Sequence, residues 1–270
     1  MQSNTVEEVN TMIKISMTIV AYNNYNDIKN AIDSIELYTQ IQKKIYIVDN
    51  GCSVCKKEDI EDFKSYIMKY SDIEYLEMKS NLGFGKGHNF VIDKLNSQYH
   101  AIINPDILLK EDSFGKIIDY MDKDSEVGMC IPKIVDENGN RQDVYRLELT
   151  IFDMIIRRIG GNLFLKRKAL HTMQNADYTK PFQVPFGQGS FLVIRTNIFK
   201  QLNGFDDKYF MYLEDADLCK RLNTISKLMY YPYTEVIHKW ERGSHKNIKL
   251  FGYHLKSMKY YFDKWGYKFW

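Results

Sequence analysis

The 270-residue chain is 44% hydrophobic and 27% charged, which excludes a mainly disordered protein and leaves room for one large domain or two small ones. Thirty-seven Lys plus Arg against thirty-five Asp plus Glu leave a formal charge of +2, so no global attraction to nucleic acid is built in. No apolar run approaches the roughly 20 residues of a membrane span, and the polar start over residues 1–11, with Glu7 and Glu8, has no secretory-signal pattern; a cytoplasmic protein is expected.

Short β-forming runs alternate with segments of helical period, the pattern of an α/β fold with a Rossmann-like, mainly parallel central sheet flanked by helices. Residues 15–21 form the first expected strand. After the turn at 23–26, Ile28, Ala31, Ile32 and Ile35 recur at helical spacing behind Asp27 as cap. A second strand at 45–48 ends in Asp49-Asn50-Gly51, and Ile60, Phe63 and Ile67 mark the next helix. Residues 73–78 lead into a glycine-rich segment at 81–89, with a helix beginning near Gly87. A strand at 101–103 runs into Asn104-Pro105-Asp106, and Asp112 caps a helix carrying Phe114, Ile117, Ile118 and Met121. Beyond a strand at 127–131 the pattern is irregular up to Pro185. Then come a strand at 190–194, a helix ending before Gly204, another at 215–223, and a short last strand at 228–231 that stops before Pro232. This reads as one domain over residues 1–242, with two functional halves at about 13–125 and about 126–242, followed by a helical tail at 243–270. Cys130 and Cys219 read as small core residues. The Cys52-x-x-Cys55 pair lacks the second pair of a zinc ribbon and reads as a reduced surface loop.

Open α/β sheets bind ligands at the C-terminal ends of parallel strands. Three such ends carry polar groups here: Tyr22-Asn23, Asp49-Asn50 and Asn104-Pro105-Asp106. A carboxylate there can accept from a base or ribose, or hold a divalent ion; equally, Asp49 or Asp106 can simply start a turn. Gly83-Phe84-Gly85-Lys86-Gly87 fits neither the dinucleotide nor the P-loop spacing, and either admits a diphosphate close to the backbone or makes a tight turn. Farther on, Gly187-Gln188-Gly189-Ser190 precedes an aromatic row at 209–213 and the acidic run Glu214-Asp215-Ala216-Asp217, which is either an ordinary acidic helix start or a proton acceptor beside a sugar. His238 is either a hydrogen-bonded structural residue or a metal ligand paired with Asp106.

Taken in order, residues 18–23, Val48-Asp49-Asn50, residues 81–89, Asn104-Pro105-Asp106, residues 187–191, Gly204-Phe205-Asp206, residues 212–218 and His238 resemble the bacterial family 2 glycosyltransferases of the glycosyltransferase A fold, particularly the rhamnosyltransferase-like branch. The resemblance implies that Ala21, Asn23 and Asp49 hold the nucleoside, and that Asn81, Gly83, Phe84, Gly85, Gly87 and Asn89 line the nucleotide-sugar site. Asn104 stands where the family's Asp-x-Asp motif begins, so Asp106 becomes the main metal carboxylate with His238 as a further ligand for Mn²⁺ or Mg²⁺. Asp215 becomes the general base of an inverting transfer, supported by Glu214. The implied donor is a nucleoside diphosphate sugar, rhamnose being the expected sugar. The implied acceptor is a saccharide or lipid-linked saccharide in surface polysaccharide synthesis, with no nucleic acid partner. The alternative is a non-catalytic nucleotide- or glycan-binding scaffold of the same fold.

In the tail, Phe251, Leu255, Met258, Phe262 and Trp265 share a helical stripe beside Lys249, Lys256, Lys259 and Lys264. Residues 249–270 are therefore expected to touch a membrane surface, the domain core or a second subunit of a homodimer. Residues 151–165, followed by Lys166-Arg167-Lys168, offer a second candidate membrane contact.

Overall fold

The computed structural model describes residues 12–51, 55–159, 163–239 and 248–270. The polar start, Cys52 and the segment after Lys239 lie outside the described residues. The first half is a run of strands and helices in the expected order: β1 (Ile13–Ala21), α1 (Tyr25–Tyr38), β2 (Lys43–Asp49), α2 (Lys57–Ile67), β3 (Ile73–Glu77), α3 (Phe84–Asn89), β4 (Ser97–Ile103), β5 (Ile107–Leu109) and α4 (Ser113–Lys123). The second half contains β6 (Val127–Val135), β7 (Tyr145–Arg146), α5 (Ile151–Ile159), α6 (Leu165–His171), β8 (Phe182–Gln183), β9 (Phe186–Gly187), β10 (Phe191–Arg195), α7 (Thr196–Gln201), α8 (Glu214–Leu222), β11 (Lys227–His238) and α9 (Ile248–Trp265).

One sheet runs β3-β2-β1-β4-β10-β6-β11-β5, with β8 on β11, and β7 pairs with β9 in a small second sheet. The strands β3, β2, β1 and β4 are parallel, as helical crossovers require, and β6 and β11 are parallel as well. Strand β10 is antiparallel to both β4 and β6 and joins the two halves. Ile15, Met17 and Ile19 on β1 and Ile45 and Ile47 on β2 are fully buried, as expected for strands covered on both faces.

Three local readings change. Helix α1 begins at Tyr25, so Asp27 lies in its first turn instead of capping it. Helix α3 begins at Phe84, three residues before Gly87. Asp112 caps α4 as expected, accepting from Gly115 N–H at 2.9 Å. Strand β11 does not stop at Pro232: it continues to His238 through a break in register between Tyr231 and Glu235. A bulge spares proline the ladder hydrogen bond that it cannot make. That continuation matters, because it pairs His238 with Ile107 on the edge strand β5, next to Asp106.

Cys55 is disulfide-bonded, which corrects the reading of its motif as a reduced loop, whereas Cys130 and Cys219 are free and buried as expected.

Candidate active site

The strand register brings the first three motif positions to one edge. Ala21 pairs with Asp49, and Ile19 pairs with Ile103, so the ends of β2, β1 and β4 lie side by side. Asn23 takes a left-handed backbone, φ 63°, with its Oδ1 3.6 Å from Cys55 Sγ. Asp49 is 3% exposed. Its Oδ2 accepts from Tyr25 at 2.7 Å and from the Tyr75 hydroxyl, and its Oδ1 accepts from Gly51 N–H at 3.2 Å. Burial and then the bond to Asp49 push both phenols up, so they remain donors. The neighbouring Asn50 donates to Asn81 at 3.1 Å and to the Gly83 carbonyl at 3.0 Å, and accepts from Leu82 N–H at 3.0 Å. Asn81 in turn accepts from Gly83 N–H at 2.9 Å.

The glycine-rich segment faces protein. A Cβ on Gly83, whose φ is +93°, would stand 1.9 Å from the Phe210 carbonyl oxygen; one on Gly85 would meet the Phe205 side chain at 2.9 Å, and one on Gly87 the Val20 side chain at 2.8 Å. These glycines let α3 sit against β1 on one side and the loop carrying Phe205 and Phe210 on the other. Phe84 N–H donates to the Phe210 carbonyl at 3.1 Å, and the Phe84 ring packs on Phe205 with centroids 5.6 Å apart. Asn89 is also taken by this loop, donating to the Phe205 carbonyl at 2.8 Å and accepting from its N–H at 2.9 Å. The segment thus ties the first half of the chain to the loop that leads into the acidic helix.

Asp106 and His238 meet. His238 is 1% exposed, and its Nε2 lies 3.5 Å from Asp106 Oδ2. Gln142, absent from the residues picked out of the sequence, orients the ring. Its amide nitrogen donates to the His238 carbonyl at 2.6 Å, so its oxygen, 3.0 Å from Nδ1, accepts the ring proton there. The opposite nitrogen is then turned as an acceptor toward Asp106, as in the outer-shell arrangement of metal-binding histidines. Among the described residues no group of three or more His, Cys, Asp or Glu side chains forms a metal cage.

The acidic run divides. Tyr212 and Leu213 both have positive φ, 72° and 67°, a sparsely populated conformation for side chains of this size, and it throws Glu214 and Asp215 onto the first turn of α8. Asp215 accepts from Gly189 N–H at 3.1 Å and from Ala216 N–H at 2.8 Å. Burial raises its pKa, while those two donors and the charge of Arg146 pull it back. Glu214 Oε2 is buried without a hydrogen-bond partner. Burial, then the charge of Asp215, pushes Glu214 well above the usual carboxylate range. The environment of Glu214 thus favours its protonated form, whereas the two N–H donors at Asp215 favour its carboxylate. Asp217 leaves the site: it pairs with Arg221 and Lys264, each at 2.7 Å, and accepts from Trp265 Nε1 at 2.9 Å.

Those contacts set the tail against the domain core, one of the three surfaces expected for residues 249–270. Tyr261 and Phe262 are buried in the common core, Ser257 donates to the Met211 carbonyl at 2.8 Å, and Lys264 also pairs with Asp206 at 2.7 Å. The chain end continues along α5, whose Ile151 and Phe152 N–H groups donate to the carbonyls of Lys268 and Phe269 at 2.8 and 3.2 Å. Exposed apolar side chains gather instead at Leu163, Phe164, Leu165, Phe269 and Trp270.

Two backbone bonds tie the site together: Asn104 N–H donates to the Ser190 carbonyl at 2.8 Å, and Gly189 N–H donates to Asp215. Adjacent residues of one loop thus hold the Asp106 segment and Asp215. Tyr25, Tyr75, Gln142 and Arg146 were not picked out of the sequence. Tyr25 and Tyr75 read there only as turn and strand residues, and the other two lie in the irregular segment, where no periodicity gives a side chain a direction.

Polar groups at the ends of the parallel strands β1, β2 and β4, with Asp215 held beside them by the loop at 187–190, sit in a sheet of the glycosyltransferase A fold. The chain belongs to the glycosyl transferase family 2, whose family model matches residues 16–202. It is 25% identical over 238 residues to the N-acetylglucosaminyl-diphospho-decaprenol L-rhamnosyltransferase of Mycobacterium tuberculosis, spanning 83% of this chain and 75% of that protein. It is also 25% identical over 255 residues, 90% of each chain, to the rhamnosyltransferase WbbL of Escherichia coli. Among solved structures, GalNAc-T7 with UDP, GalNAc and Mn²⁺ has the same fold, with a TM-score of 0.68 at 16% identity over 94% of this chain. The chain spans 50% of the length of that structure.

Proposed function

We propose that this glycosyltransferase moves a sugar, rhamnose being the expected one, from a nucleoside diphosphate to a saccharide carried on a lipid diphosphate during polysaccharide synthesis. The relatives named above act on such a donor sugar or acceptor by their names. The observation that carries the reading is the loop at 187–190, which holds the Asp106 segment and Asp215 through neighbouring residues. Asp215 takes the proton of the acceptor hydroxyl. The hydroxyl oxygen attacks the anomeric carbon from the face opposite the diphosphate, the bond to the diphosphate oxygen breaks, and the configuration inverts. Asp106 and His238 fit a divalent cation, because Gln142 presents the His238 Nε2 lone pair to the same point as the carboxylate. Such an ion, Mn²⁺ or Mg²⁺, would neutralise the departing diphosphate. Ala21, Asn23 and Asp49 border the nucleoside. The exposed apolar group at 163–165 and 269–270 is the face turned toward the lipid, in place of the tail helix.

The test is a panel of nucleoside diphosphate sugars with Mn²⁺, Mg²⁺ or chelator, read by thermal stabilisation and by release of the sugar. One donor should stabilise the protein in a cation-dependent way and hydrolyse slowly. If no donor does either, the enzyme is not a nucleotide-sugar transferase of this kind.

A further inference from the structure

Arg146 closes β7 and is 6% exposed, yet its Nε is buried without a hydrogen-bond partner and no ion pair to it forms among the described residues. The guanidinium group lies 5.3 Å from the Phe186 ring centroid. A cation removed from water without a counterion is expensive, and such a group is kept where an anion completes it. Burial, followed by the charge of Arg157, pushes Arg146 down to about 9, while the charge of Asp215 acts in the opposite direction.

Arg157 stands on α5 with an exposed side chain; desolvation draws its pKa down, and the charges of Asp215 and Asp153 act in the opposite direction. Asp215 is one carboxylate facing two cations, and the other carboxylates nearby are engaged elsewhere. Asp153 is spent on Arg167, at 2.6 and 2.7 Å, and on the Thr150 hydroxyl at 2.7 Å. Asp143 lies 3.5 Å from Arg141 and accepts from Gln174 at 2.9 Å. His171, pushed down to about 4 by burial, is neutral. What remains near Asp215 is two planar, forked donors, a set that matches an anion with several oxygens, and above all a phosphoryl group. They lie on the side of Asp215 contributed by β7 and α5, and the Asp106–His238 pair that would meet the leaving diphosphate is built by β5 and β11.

We infer that Arg146 and Arg157 bind the phosphoryl group of the acceptor, anchoring a diphosphate-linked saccharide with its hydroxyl at Asp215. This rests on the transferase reading above and adds the part of the acceptor that is recognised. The aromatic cluster of Phe152, Phe164 and Trp270 is continuous with the same helix, ring centroids lying 5.2 and 4.5 Å from Phe152, and gives the lipid beyond the phosphates a surface to follow.

The experiment titrates the full chain, in chelator, with a short isoprenyl diphosphate, and separately, with Mg²⁺, with uridine and thymidine diphosphates. Arg146→Met and Arg157→Ala should each weaken the isoprenyl diphosphate by about tenfold or more and leave the nucleoside diphosphates unchanged. Arg157 is exposed, so its variant keeps the test valid if Arg146→Met melts early. Equal affinity of wild type and both variants, or no binding by wild type, overturns the assignment. A parallel loss of nucleoside diphosphate also overturns it, giving the arginines to the leaving group. Loss confined to the isoprenyl diphosphate, in a protein that binds no nucleotide sugar, would retain the anion site and remove the transferase reading.

Discussion

At the ends of β2 and β3 the polar side chains are already engaged by the protein: Asp49 by two tyrosines and a backbone N–H, Asn50 and Asn81 by each other and by the glycine loop. Around Asp215 the opposite holds. Arg146 Nε, Gln188 Oε1, Ser190 Oγ and Glu214 Oε2 are all buried without a hydrogen-bond partner. The first edge has its polar groups satisfied by the protein, whereas the second holds buried polar groups that a ligand could complete. Buried groups of that kind reject molecules lacking the matching partner, so on the proposed function the second region is where selectivity for the acceptor is expected.

The largest effect that would test this contrast is expected at Asp215. Asp215→Asn should lower turnover by roughly 10²- to 10⁴-fold while leaving donor affinity intact, measured by single-turnover transfer and by calorimetry. An equal loss of donor affinity would mean that the two regions are not separable. Next in size is the weld between them. Gly83→Ala places a methyl group against the Phe210 carbonyl at a left-handed position, and should cost about 2 kcal/mol or more in denaturant unfolding. A variant as stable as wild type would show that the Phe210 loop can retreat. The smallest effect is in pH. Asp215 works only when ionised, and its pKa is raised by burial, so turnover should fall on acidification at a pH above the ordinary carboxylate range. Glu214 adds the reverse trend in stability. Its folded-state pKa lies above its unfolded value, so the folded state holds the proton more tightly, and the stability gained at low pH is lost as pH rises through that folded value. Glu214→Gln should therefore unfold less readily than wild type in the alkaline range, with the two converging in acid. Parallel pH curves would remove the protonated glutamate from the site.

Much of the site was legible before the fold, because strand ends advertise themselves. Asp49 and Asp106 follow β-forming runs and stand among turn residues, and Glu214 and Asp215 follow an aromatic row at a helix start. The glycines were legible as punctuation but not in their purpose, since only the packed molecule shows that Phe210, Phe205 and Val20 occupy the space a Cβ would need. Pro232 misled the reading of β11 for the same kind of reason: a proline ends a strand unless a bulge receives it, and the bulge depends on the partner strand. The lysines and aromatic side chains of the tail have the composition of an interfacial helix, and only the buried Asp217 beneath them shows that Trp265 and Lys264 face inward.

The sequence alone determined the alternation of strands and helices and the carboxylates at strand ends and at the helix start, because hydrophobic period and turn residues act within a dozen neighbours. Tertiary structure decided which of those carboxylates has N–H donors, which histidine nitrogen faces Asp106, and where an arginine Nε is buried without a hydrogen-bond partner. Each of these depends on groups brought from distant parts of the chain, Gln142 onto His238, Gly189 onto Asp215 and Arg146 toward Asp215, and burial and electric field belong to the assembled neighbourhood, not to the residue.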